Sequence, residues 1–184
     1  MLQNEGLKVS GNITIRSHKA GTIHLYQSLV ELGRLDLARE LLADGKIEVE
    51  QKNLIVDSSN YGLDILVQYL LSSYNGSNPF PLGIAWGELG TGATAPTLGD
   101  TTLTTPTNRA PVAYAVDSGF NTAQIQFFFP DAILANEDYY ECGTFIGGSS
   151  TIGSGNMFNH ALFATPYSKS AGVDTTLECD FNFS

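Results

Sequence analysis

The sequence predicts a mainly β chain, an antiparallel β-sandwich with an N-terminal helical insertion, α+β overall. Three observations lead there. Beyond residue 80, segments of two-residue apolar alternation recur roughly every ten residues, the spacing of short antiparallel strands. Gly, Ser, Thr and Asn separate these segments and supply turns. Helical periodicity is confined to the chain before residue 73.

Residues 7–16 (LKVSGNITIR) alternate apolar and polar and predict a strand. From 23 to 44 the period changes. Leu25, Leu29 and Leu32 recur at helical spacing, then Leu35, Ala38, Leu41 and Leu42, with Gly33 between the sets and Gly45 after the second. This spells two short helices, or one interrupted helix, with an apolar stripe. The stripe has two readings, packing on the core or docking on a partner subunit. Residues 46–56 alternate again as a strand. Asp57, Ser58, Ser59 and Asn60 offer N-caps to a helix whose face is Leu63, Leu66, Val67, Leu70 and Leu71, and 74–80 (YNGSNPF) is a loop. Six further strands follow, at 82–86, 111–116, 122–129, 139–146, 157–164 and 175–183, with a Gly/Thr/Pro-rich stretch over 87–108. The expected organisation is an N-terminal strand and helical anchoring segment at 1–73 and a sandwich at 74–184. In the alternative arrangement the strands 7–16 and 46–56 join the sandwich in one continuous domain.

The 184 residues are 42% hydrophobic, enough for a core, and 15% charged, against about 25% in a typical soluble domain. The net charge of −10 is uneven: seven Lys/Arg face nine Asp/Glu in residues 1–72, and two face ten in 73–184. An acidic surface repels phosphate, so nucleic acid is excluded as a partner. No apolar run approaches the roughly 18–20 residues of a membrane span. The N-terminal MLQNEGLKVSG has no apolar stretch resembling a secretory leader.

Strings that look like chemistry fail on context. GTGATA (90–95) has the letters of a dinucleotide fingerprint, but Pro96 follows with no helical pattern, so it reads as a surface turn. His18 and His24 have no ligand spacing, and His160 alternates with Phe158 and Leu162 as a half-buried histidine. Cys142, Cys179 and His160 make three metal ligands where zinc takes about four. Glu137, Asp138 and Glu141 hold the residue types for glycoside hydrolysis but read as the polar start of a strand. No catalytic, cofactor-binding or metal-ligating residue is assigned, and no cofactor is expected. Cys142 and Cys179 form a disulfide if their strands are neighbours, and are otherwise two buried thiols.

Four segments together resemble virion proteins of tailed bacteriophages. WGELGTGATAPTLGDTTLTTPTNRAPV (86–112) is similar to their strand and "aiGtGttaPt..dt.L..e..R" loop. YECGTFIGG (140–148) resembles an "EaGLF" strand, and KNLIVDSSNYGLDILVQYLL (52–71) an "NLIvd" piece. MFNHALFATPYSKSAGVDTTLECDFNF (157–183) resembles the family's ending, with His160 where the pattern has Arg and Thr144 where it has an apolar residue. The segment 23–44 stands where a short hairpin is common. The resemblance implies a non-catalytic β-sandwich of tail fibres, baseplates, necks or capsid decorations, made in the host cytoplasm and carried in the virion. It implies symmetric homo-oligomers, often trimers, contacting other virion proteins. The alternative is a receptor- or glycan-binding module at the virion surface. Docking would fall to Leu25, Leu29, Leu32, Leu35, Leu41 and Leu42.

Overall fold

Alternation decides the inside of the molecule. In β5 (Thr122–Phe129), Ala123, Ile125, Phe127 and Phe129 turn to the core, while Gln124 and Gln126 bond to carboxylates on the outside. The same rule places Ile13 and Ile15 of β1 (Val9–Lys19) and Leu177, Cys179 and Phe181 of β8 (Val173–Phe183) in one continuous core. The computed structural model describes residues 9–55, 83–117 and 122–183. The expected helix over 60–73 and the loop 74–80 lie outside them. The remaining strands are β2 (Lys46–Ile55), β3 (Ile84–Gly90), β4 (Pro106–Asp117), β6 (Asp138–Ile146) and β7 (Asn156–Ser168). Between β1 and β2 stand α1 (Thr22–Glu31) and α2 (Leu35–Ala43). No helix among the described residues is long and apolar enough to cross a membrane.

The strands do not form a sandwich. They close into an eight-stranded antiparallel barrel in the order β1-β2-β7-β6-β3-β4-β5-β8, with β8 back against β1. Two strands change partners along their length and so join what would have been two sheets. β2 pairs with β1 through Asn53, then with β7 at Leu54 and Ile55. β4 pairs with β3 through Pro111, then with β5 from Val112, where the register shifts. Pro111 has no N–H to give, and the strand leaves β3 at that residue. An inward-facing residue alternates in the same way in a sandwich and in a barrel, so periodicity does not separate the two.

The interior is filled by aromatic rings that meet small residues. A methyl group at Gly87 of β3 would lie 2.5 Å from the Phe127 ring, which occupies that space. Phe158 stands edge-on to Phe181 at 5.1 Å, a favoured aromatic arrangement. Gly87→Ala is expected to destabilise the barrel by about 1–3 kcal/mol through overpacking, measured as a lower urea midpoint at unchanged slope.

Candidate functional site

The residues that looked like chemistry meet under the long loop 91–105. This loop lies across the outside of β3, β6 and β7, and its Leu103 packs with Phe145 and Met157, against Trp86, in a small cluster outside the barrel. Beneath it the Glu141 carboxylate is fully buried. Oε1 accepts the N–H groups of Gly92 at 3.1 Å and Thr105 at 2.7 Å, and Oε2 accepts that of Thr104 at 3.0 Å. His160 Nε2 is 2.9 Å from Glu141 Oε2, and its Nδ1 is 2.7 Å from Asp100 Oδ2. Ionised carboxylates only accept, so with Asp100 and Glu141 charged each ring nitrogen carries a proton and the imidazole is a cation. Asp100 also accepts the N–H and hydroxyl of Thr97, at 2.9 and 2.6 Å.

The glycines of GTGATA have their reason here. A Cβ on Gly92 would sit 2.4 Å from Glu141 Oε1, and one on Gly90 2.7 Å from it. No helix follows, and amides of this loop hold an internal carboxylate in place of a phosphate. His160 does not share a face with Phe158. The register shifts by one between Thr144 and Phe145, so Phe158 enters the core while His160 turns outward. Burial favours the neutral form of Glu141, but His160 and the Thr105 and Thr104 amides outweigh it and hold the pKa below the usual value. Burial likewise lowers the His160 pKa, but the two carboxylates outweigh it and raise it.

A second buried pair ties down the turn at 147–155. Glu88 is ion-paired with Arg109 and accepts the Gly153 N–H at 2.7 Å. Arg109 also donates to the Ser154 carbonyl at 2.6 Å, and its guanidinium lies 5.0 Å from the Trp86 ring centre and 4.9 Å from that of Phe145. Glu137 and Asp138 are exposed at the start of β6, apart from this buried chemistry. Among the described residues no group of His, Cys, Asp and Glu is placed to hold a metal.

Cys142 and Cys179 are both free, buried thiols. They lie on β6 and β8, which do not adjoin in the barrel, so the expectation of neighbouring strands is corrected. Burial pushes both thiols up, Cys179 further through the nearby Cys142.

The helical hairpin stands on the outer wall. Asp174 of β8 anchors its start: one carboxylate oxygen accepts the N–H groups of Gly21 at 2.9 Å and Ile23 at 3.1 Å, and the other accepts that of Asp131 at 2.9 Å. Ile23 and Tyr26 of α1 and Ala38 and Leu42 of α2 bury themselves against Phe128, with Tyr26 edge-on to that ring at 4.8 Å. The leucine stripe therefore divides. Leu42 is in this cluster and Leu29 and Leu41 pack partly against it, whereas Leu25, Leu32 and Leu35 are 51%, 75% and 49% exposed. Val30, Leu37 and Ile47 are exposed as well. The buried face of α1 runs from Ile23 and Tyr26, not from Leu25. Tyr26 and Asp174 were missed by pattern reading; an aromatic three residues after Ile23 was the local signal for the first, and the second comes from the other end of the chain.

On the barrel side of the hairpin lies a cleft of about 680 Å³, lined by Arg16, Tyr26, Arg39, Tyr114, Gln126 and Glu178 among others. The molecule is thus defined as an eight-stranded antiparallel barrel with an external helical hairpin, a half-exposed leucine face and a polar cleft beneath it. No protein-family model, curated protein or solved structure matches the chain.

The clasp of Asp100, His160 and Glu141 sets a pH window. The raised His160 pKa contributes stability fully below its ordinary 6.5 and loses it as pH rises through the folded value. The lowered Glu141 and Asp100 pKa values contribute fully above their ordinary 4.5 and 3.8 and lose it as pH falls. Amide exchange at Gly92, Thr104 and Thr105, corrected for intrinsic rates, is expected to be slowest between 4.5 and 6.5 and to quicken on both sides. Protection that stays flat from pH 5 to 9 would contradict a charged His160.

Proposed function

We propose that this chain is a non-catalytic structural component of a tailed-bacteriophage particle, anchored to a neighbouring virion protein through the outer face of its helical hairpin. The observation that carries this reading is that the barrel leaves Leu25, Leu32 and Leu35 of the hairpin exposed, with Val30, Leu37 and Ile47 exposed as well. Residues 22–47 carry three Lys/Arg and four Asp/Glu, so the segment is nearly neutral. Such a face suits an apolar, weakly charged partner surface.

The resemblance to virion proteins gains support from where its residues lie. Gly90, Gly92, Asp100 and Leu103 of one motif, Glu141 of a second and His160 of a third come from distant stretches of chain and meet in one clasp. His160 offers Glu141 a cation at the position where the resembling pattern carries Arg. Of the three acids weighed for hydrolysis, Glu141 is buried and bonded to backbone amides and His160, apart from Glu137 and Asp138, which lie exposed at the start of β6.

The test is incorporation. Leu32→Asp with Leu35→Asp alters two exposed positions, so folding stability is expected to change by less than about 0.5 kcal/mol. Purified particles made with the variant should lack the chain, while particles made with the unchanged protein contain it. Normal incorporation of the variant, or absence of the unchanged chain from particles, would sink the proposal.

A further inference from the structure

The cleft under the hairpin is built from the barrel wall upward. Its floor is set by the strand register, with Glu178, Gln126 and Tyr114 in one lateral row and Gln124 and Val116 in the next, and Asp180 paired with Gln124 beside it. The Gln126 amide donates to Glu178 Oε2 at 2.6 Å and the Gln124 amide to Asp180 Oδ1 at 3.1 Å. Each pair leaves an amide oxygen and a carboxylate oxygen without a protein partner among the described residues. Donors stand opposite. Arg39 of α2 reaches over the Tyr114 ring at 5.6 Å, and Arg16 closes one end, touching only the Gly45 carbonyl at 3.4 Å. Neither arginine is within ion-pair distance of a carboxylate among the described residues.

These groups select a ligand class. The volume of about 680 Å³ falls in the range of roughly 300–1,000 Å³ usual for small-molecule sites. An apolar ligand would strip water from amides, carboxylates and guanidinium groups and return no hydrogen bonds. Arg16 and Arg39 stand against Glu178 in the lining and Asp180 beside Gln124, so opposite charges balance and neither an anion nor a cation is preferred. A hydroxyl both donates and accepts, so adjacent hydroxyls on one ring can give to the free carboxylate and amide oxygens and take from Arg39 or Arg16.

We propose that this cleft binds a neutral sugar residue, its hydroxyls bridging the Gln/carboxylate rows of the floor to Arg39 on the helical roof. The site lies on the barrel side of the hairpin, away from the exposed leucines, and so does not depend on the anchoring role. The purified full chain is titrated with glucose, galactose, mannose and N-acetylglucosamine, with glucuronate and glucosamine as charged comparisons. The side-chain N–H signals of Gln124, Gln126 and Arg39 are followed by nitrogen-15 NMR. The expected result is a saturable shift of these signals with at least one neutral sugar. Arg39→Ala and Gln124→Ala should each weaken it about tenfold or more at unchanged melting temperature, and the Leu32→Asp/Leu35→Asp variant should bind as before. Three results would overturn the proposal: no saturable shift with any neutral sugar up to about 100 mM, far into the weak range; tighter binding of glucuronate or glucosamine; or shifts that survive both cleft substitutions.

Discussion

The outer flank of this barrel depends on one buried carboxylate. Glu141 lies on a strand whose far side should face water, yet its charge is enclosed by protein. An isolated ion there would cost several kcal/mol, and three backbone N–H groups and the His160 cation offset that cost. Buried ion pairs add little net stability compared with apolar packing. What this one supplies is direction. Only a chain path that brings Gly92, Thr104 and Thr105 within reach of the same two oxygens satisfies it, so the carboxylate dictates the route of the loop 91–105. Leu103 is then delivered over Phe145 and Met157, and the small external core forms as a result.

Legibility followed the range of the signal. Each strand read from alternation overlaps an observed one, because the two-residue period is a property of neighbours in sequence. Closure was not legible. It rests on β2 and β4 exchanging partners at Asn53 and Pro111, and the face a side chain takes does not reveal which strand lies beyond it. Pro111 was a mark of that change, an N–H missing within an apparent strand. The clasp drew on three stretches up to 68 residues apart, from Gly92 to His160, and its members looked like turn residues, a polar strand start and a half-buried histidine when taken singly. For the hairpin the stripe was legible but its direction was not. Leu25, Leu29 and Leu32 share one side of a helix, yet the side that α1 turns to Phe128 is that of Ile23 and Tyr26, and the partner ring comes from a distant strand.

Asp174 makes the two halves of the molecule one mechanical object. One side chain on β8 holds the first turn of α1 and the backbone at Asp131 together, and Phe128 receives Tyr26 from above. The direction in which the leucines point is therefore set by the barrel. Closure also narrows the usual alternative for association. Each of the eight strands has a neighbour on either side in the ring, so open edge is confined to the stretches where β2 and β4 exchange partners, and contact with other molecules falls mainly to side chains, loops and the hairpin.

The seam between β1 and β8 sets the order of folding. Eleven consecutive positions, Val9 with Phe183 through Lys19 with Val173, pair across almost the whole length of the chain. Contacts of such separation carry the largest loop-closure entropy and are slow to form. During synthesis β1 can find β2 soon after the hairpin emerges, but its other side must wait until residue 183 has left the ribosome. For that interval a half-paired strand bearing Ile13 and Ile15 is open to the same strand of a neighbouring nascent chain. The ring that protects the finished protein is thus the last part of it to exist.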